Sequence, residues 1–190
     1  MPMTLPVYFR AAWTAMGLVW ALAAVSAKRT VRAEPAGSRT GHILVLAIAF
    51  ALLFSPGLRI GPLAWRLVPS SAAAAVLGLG LTIGGIVVAI WARVYLGGNW
   101  SAIVAIKQGH TLIRTGPYAV VRHPIYAGLL LAMLGTAIGE GEIGCFYAAI
   151  LALAAWLAKA RREDSFLLQQ FGAAYLTYQS QVKALIPFVL

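Results

Sequence analysis

Cysteine is almost absent from the 190 residues, and acidic side chains are scarce: one Cys, at position 145, and five Asp and Glu against fifteen Lys and Arg. A single thiol excludes an intramolecular disulfide, and its apolar neighbours make Cys145 a small packing residue. Only 11% of residues are charged while 61% are hydrophobic, which excludes an ordinary soluble globular domain. Low-complexity linkers and internal repeats are also missing, so one domain over residues 1–190 is expected. The net charge of +10 does not indicate nucleic acid, because the cations collect between apolar runs, where membrane orientation explains them.

Long apolar runs are what the chain does have. A hydrocarbon core about 30 Å thick needs about 20 apolar residues per helix. The pattern predicts an all-α integral membrane protein with five transmembrane helices: Val7–Ala27, His42–Ser55, Ala72–Leu96, Ile125–Ile138 and Ile143–Ala158. The last two are short and flank "GEGEIG", which predicts a tight, partly submerged hairpin. Residues 78–85, "GLGLTIGG", place Gly80 and Gly84 in a GxxxG spacing that lets another helix approach. The same spacing serves contacts within and between chains, so it leaves the oligomeric state open. After Ala158, Leu167, Phe171, Tyr175, Tyr178 and Val182 draw one apolar stripe, read as a C-terminal amphipathic helix on the cytosolic side.

Lys28, Arg29, Arg32 and Arg39 follow the first run, Arg93, Lys107, Arg114 and Arg122 the third, and Lys159, Arg161, Arg162 and Lys183 the fifth. The opposite ends hold only Arg10, Arg59 and Arg66, which predicts the N-terminus outside and the C-terminus in the cytoplasm. "AAVSAKRT" offers a small-residue cleavage site after Ala27, but the cations lie on the wrong flank for a signal peptide, so cleavage is not expected.

Polar residues cluster at the mouth of the fourth run. Pro124 suits the first turn of a helix and pushes His123 out of the helical region, so the helix begins there. Its free N–H groups make an anion-binding position, beside Arg122, His123, Tyr118 and Tyr126. Such a set suits a zwitterionic ligand; it equally suits an interfacial anchor gripping lipid headgroups. Glu163 and Asp164 follow the fifth run. Adjacent helical residues do not share a face, so one carboxylate is expected to point inward and the other to stay solvated.

"WARVYLGGNWS", "HTLIRTGPYAVVRHPIYAG" and "REDSFLLQQFGAAYLTYQSQVKALIP", in this order and spacing, resemble the isoprenylcysteine carboxyl methyltransferase family and its phospholipid methyltransferase relatives. The likeness covers about residues 91–188, so 1–90 reads as N-terminal transmembrane helices and 91–190 as the methyltransferase-like, cofactor-binding half. It implies an S-adenosyl-L-methionine-dependent membrane enzyme, with a lipidic or prenylated acceptor entering from the bilayer. Matched by position, cofactor contacts fall on His110, Thr111, Leu112, Ile113, Tyr118, His123, Pro124, Ile125, Tyr126 and Glu163, while Arg122 and Lys159 orient the acceptor. No metal site is expected. Asp164 stands where the family has a second Glu, and Lys159 where it has an arginine, a point charge in place of a planar fork. A phospholipid amine as acceptor, an NADPH-dependent sterol-reductase-like enzyme and a non-catalytic membrane module are the alternatives.

Overall fold

The structure, a computed structural model, describes residues 5–24, 29–109, 111–187 and 189. Its helices are α1 (Leu5–Ala24), α2 (Ala36–Phe54), α3 (Ala72–Leu96), α4 (Pro124–Glu140), α5 (Ile143–Phe171) and α6 (Ala173–Gln181). Three of these, α2, α3 and α5, are long and apolar enough to cross a membrane, while α1 and α4 are shorter apolar helices. Residues 25–27 of the expected first helix lie outside the described residues.

Four expectations change. The all-α architecture holds but gains a short ribbon: β1 (Thr30–Ala33) and β2 (Ala105–Lys107) pair antiparallel, joining the α1–α2 connection to the segment before α4. Second, α2 starts at Ala36 rather than His42. Its polar first turn is held by tertiary contacts: Ser38 donates to Glu34 at 2.8 Å, and Arg162 pairs with Glu34 at 3.1 Å. Burial opposes ionisation of Glu34, but Ser38, the Val104 N–H and Arg162 outweigh it and hold its carboxyl below the usual range.

Third, α5 is not short. It runs 29 residues, about 43 Å at 1.5 Å per residue, because Lys159, Arg162, Glu163 and Asp164 find partners on other elements instead of ending the helix in water. Fourth, the apolar stripe does not lie on one helix. Gly172, at φ +53°, breaks the chain, leaving Leu167 and Phe171 on α5, Tyr175 and Tyr178 on α6, and Val182 beyond it.

The core seam is α3 against α4, built from small residues. A Cβ on Gly78 would lie 2.6 Å from the Gly135 carbonyl oxygen, and one on Gly128 would lie 2.6 Å from that of Gly85. Gly80 and Gly84, which the GxxxG spacing singled out, face open space. The contact set is Gly78, Thr82 and Gly85 on α3 with Gly128, Ala132, Gly135 and Gly139 on α4. A buried polar knot pins α1 to this seam: Trp13 donates to Thr136 at 3.0 Å, and the Thr136 and Thr82 hydroxyls lie 3.1 Å apart.

At the bundle end remote from Pro124, Arg59 is buried and joins Glu142 at 2.7 Å and Glu140 at 3.5 Å. It also donates to the carbonyl of Leu53 at 2.9 Å and to Cys145 Sγ at 3.1 Å. Arg59→Ala leaves two partly buried carboxylates without their cation, so it is expected to lower stability by about 3–5 kcal/mol. Thermal unfolding in detergent checks this, with Glu142→Gln expected to be milder because Glu140 still pairs.

Candidate active site

Pro124 occupies the first helical position of α4, and His123, at φ −123° and ψ 62°, sits outside the helical region as a residue before proline must. The C-terminal tail fixes this corner: the Arg122 N–H donates to the Lys183 carbonyl at 2.8 Å and the His123 N–H to that of Ala184 at 2.9 Å. The corner therefore presents its side chains to α5 and α6 in one orientation.

Both carboxylates of the acidic pair converge on it. Glu163 Oε2 lies 3.3 Å from His123 Nδ1, and Asp164 Oδ1 lies 2.8 Å from Nε2. Asp164 also receives Arg122 Nη2 at 2.8 Å and the Tyr175 hydroxyl, while Glu163 Oε1 receives the Tyr126 hydroxyl at 2.6 Å. The expectation that one of the pair stays solvated is overturned: Asp164 is enclosed by three partners, its side chain 12% exposed. A single histidine placed between two helical neighbours lets both carboxylates turn inward.

Burial pushes the His123 imidazole toward neutrality, but the hydrogen bonds and charges of Asp164 and Glu163 outweigh that and lift its pKa to about 9. The ring is a cation at neutral pH. Arg122, held by Asp164 against the cost of burial, is raised above its ordinary value. Burial drives Tyr178 up to about 12 and, with Asp164, raises Tyr175, so both phenols stay protonated donors. Tyr178 donates to the Tyr118 carbonyl at 2.6 Å, tying α6 to the Gly116–Ala119 turn.

The His123, Tyr126 and Trp156 rings form a column with centroids 5.6 and 6.2 Å apart and planes within 15° of parallel. Lys159 Nζ stands 5.5 Å from the Tyr126 ring centroid and donates to the Ala102 carbonyl at 2.8 Å. Asn99 donates to Thr111 at 3.0 Å, bracing the segment that carries residues 111–113. Together these elements enclose a cavity of about 390 Å³, within the ordinary size of a small-molecule site.

Thr111, Leu112, Ile113, Tyr118, Arg122, His123, Ile125, Tyr126, Lys159 and Glu163 all line this cavity. Pro124 does not; buried behind the wall, it starts α4 rather than facing the space. His110 lies outside the described residues. Sequence reasoning missed the other wall, where Met16 and Trp20 of α1 join His42, Ile43, Leu46 and Phe50 of α2. Only His42, a lone imidazole in an apolar run, carried any sequence signal. Among the described residues, His42 Nδ1, Arg93 Nε and Arg122 Nε are buried without a partner, and no group of three His, Cys, Asp or Glu side chains has the geometry to hold a metal.

A family model described as phospholipid methyltransferase matches residues 73–174, more than half of the chain. The chain belongs to the phospholipid methyltransferase family. Similar curated proteins include a protein-S-isoprenylcysteine O-methyltransferase of Schizosaccharomyces pombe, 36% identical over 104 residues, covering 52% of this chain and 43% of that protein. The one from Tribolium castaneum is 36% identical over 118 residues, covering 60% and 41%. A solved structure of the eukaryotic intramembrane Ras methyltransferase, isoprenylcysteine carboxyl methyltransferase, superimposes with a TM-score of 0.53 at 28% identity, covering 82% of this chain and 54% of that one. The matched segments thus make up roughly two-fifths of these two curated relatives. The phospholipid methyltransferase match takes in the 111–126 wall and the acidic pair but leaves out α1 and α2, which complete the cavity.

Proposed function

We propose that this protein is an S-adenosylmethionine-dependent membrane methyltransferase that esterifies the carboxylate of an isoprenylcysteine-type acceptor. The observation that carries the reading is the convergence of His123, Glu163 and Lys159 on one cavity with an apolar wall. The donor set fits the cofactor. An amino-acid carboxylate meets the His123 cation; an ammonium or ribose diol meets Glu163; a sulfonium meets an aromatic face of the wall that Tyr118, Tyr126 and Trp156 form. A cation over such a face gains about 0.5–2 kcal/mol.

When bound, S-adenosylmethionine supplies a methyl group on positively charged sulfur. A carboxylate acceptor is already a nucleophile, so the protein's work is alignment and exclusion of water. His123 and Glu163 hold the donor side, with Thr111, Leu112 and Ile113 closing over it. Lys159 sits where the acidic wall meets the apolar one and holds an acceptor anion as a point charge. Arg122, already clamped by Asp164, keeps the corner rigid more than it reaches outward. Met16, Trp20, Leu46 and Phe50 offer a greasy surface for the lipidic chain. All five apolar helices would span, with the C-terminus in the cytoplasm.

A phospholipid amine is the second reading, favoured by the family description itself. In it Glu163 takes the proton that leaves nitrogen.

Titration calorimetry with S-adenosylhomocysteine tests the site. Micromolar binding is expected, weakened at least tenfold, about 1.4 kcal/mol, by Glu163→Gln. Equal affinity in both proteins would refute the assignment. Incubation with labelled methyl donor and either N-acetyl-S-farnesylcysteine or phosphatidylethanolamine then separates the two acceptors.

A further inference from the structure

Every acidic side chain of this protein is engaged in an ion pair. Glu34 joins Arg162, Glu140 and Glu142 share Arg59, and Glu163 and Asp164 share His123, with Asp164 also holding Arg122. These five are all the acids the chain has. The cations are not balanced in the same way. Among the described residues, the segments at the cavity end of the bundle carry eleven Lys and Arg against three acids, whereas the opposite end carries three against two.

Among the described residues, Arg29, Arg39, Arg114, Arg161 and Lys183 are exposed at the cavity end. None of them takes part in the ion pairs above. Arg114 follows Ile113 of the cavity wall and stands near enough to Tyr178, another wall residue, to act on it electrostatically. Membrane orientation accounts for the presence of such cations but does not cancel their field. Exposed charges act over a Debye length of about 8 Å at physiological salt, and a one-signed surface around a cleft raises the encounter rate of an opposite charge by about 10–1,000-fold.

We propose that this uncompensated cationic face selects isoprenylcysteine-type acceptors whose water-exposed part is anionic, and disfavours acceptors with a polybasic tail. The inference rests on the acceptor class of the proposed function. It adds a selection by charge that the apolar wall and Lys159 do not supply, because it is exercised outside the cavity. The shape of the selection follows from the bookkeeping of partners: with no free acid on this face, a lysine-rich peptide finds repulsion and an acidic one finds Arg114, Arg161 and Lys183.

The test uses three farnesylcysteine peptides that differ only in a run of Glu, Ser or Lys before the cysteine. Each is assayed with the full-length protein in phosphatidylcholine nanodiscs at low salt (about 20 mM) and high salt (about 0.5 M), where screening shortens the field to a few ångströms. At low salt kcat/KM is expected to be at least tenfold higher for the Glu than for the Lys peptide, and the ratio should shrink toward one at high salt. The triple variant Arg114→Glu, Arg161→Glu, Lys183→Glu should invert the order while leaving the Ser peptide within about twofold, since the change acts on steering and not on chemistry.

Equal rates at low salt, or a preference untouched by both salt and the triple variant, would overturn the selection. So would loss of co-purifying anionic phospholipid from the triple variant with no change in peptide preference, which would assign the face to the bilayer. If S-adenosylhomocysteine binds but none of the three peptides is methylated, the acceptor class itself fails and the selection falls with it, a result distinct from methylation without charge preference.

Discussion

Replacing His123 with alanine is expected to weaken S-adenosylhomocysteine binding by about 100-fold and to destabilise the folded protein by about 3–5 kcal/mol, the cost of removing one partner from a buried ion cluster. Two carboxylates, Glu163 and Asp164, would face each other across the space the imidazolium fills. Arg122 would still hold Asp164, so the larger loss should fall on Glu163 and the cavity wall.

The pH profile separates this role from simple packing. The folded-state pKa of His123, about 9, lies above the ordinary value of 6.5. Its contribution is therefore fully present below about pH 6.5 and is lost as the pH rises through 9, about 3 kcal/mol in all at 1.36 kcal/mol per unit. Thermal unfolding of the wild type should weaken across that window. His123→Gln, which fills similar space without a titrating charge, should lose less between pH 6.5 and 9. Identical profiles for the two would show that the histidine is not the cation of the cluster.

Gly128→Leu should leave little folded protein. A side chain there meets backbone on the facing helix, the Gly85 carbonyl oxygen at 2.6 Å and the Ala89 nitrogen at 2.7 Å from the first carbon alone. Neither atom can rotate away, so α3 and α4 would have to separate along the seam that also carries the Thr82–Thr136 knot. The penalty should exceed the 1–3 kcal/mol typical of overpacking, which neighbouring side chains partly relieve. Size-exclusion chromatography in mild detergent should show aggregate in place of a sharp peak. Gly84→Ala, whose new carbon meets nothing within 4 Å, should behave as wild type or gain slightly from helix propensity.

The contrast between Gly84 and Gly85 marks where reading the sequence ran out. Spacing alone gives the period of a small-residue face but not its phase, and the GxxxG pair happened to lie on the open side. The fourth helix was legible from Pro124, because proline has one favoured place in a helix and that place set the corner at His123. The end of α5 was not, because Lys159, Arg162, Glu163 and Asp164 look like a solvated collar until Ala102, Glu34, His123 and Tyr126 are known to meet them. The β1–β2 ribbon left no trace, being three or four residues a side without alternation. For the site, the motif-bearing wall could be named in advance; the wall from α1 and α2 could not, since Met, Trp, Leu and Phe in a membrane helix serve lipid and ligand alike.

The ribbon between Thr30–Ala33 and Ala105–Lys107 makes the chain a poor candidate for modular exchange. A chimaera that joined the C-terminal half of this protein to the first two spans of a relative would swap one edge of that ribbon and one side of the ligand chamber together. Productive recombination would have to carry residues 29–54 and 97–113 as a single inherited unit, however far apart they stand in the gene.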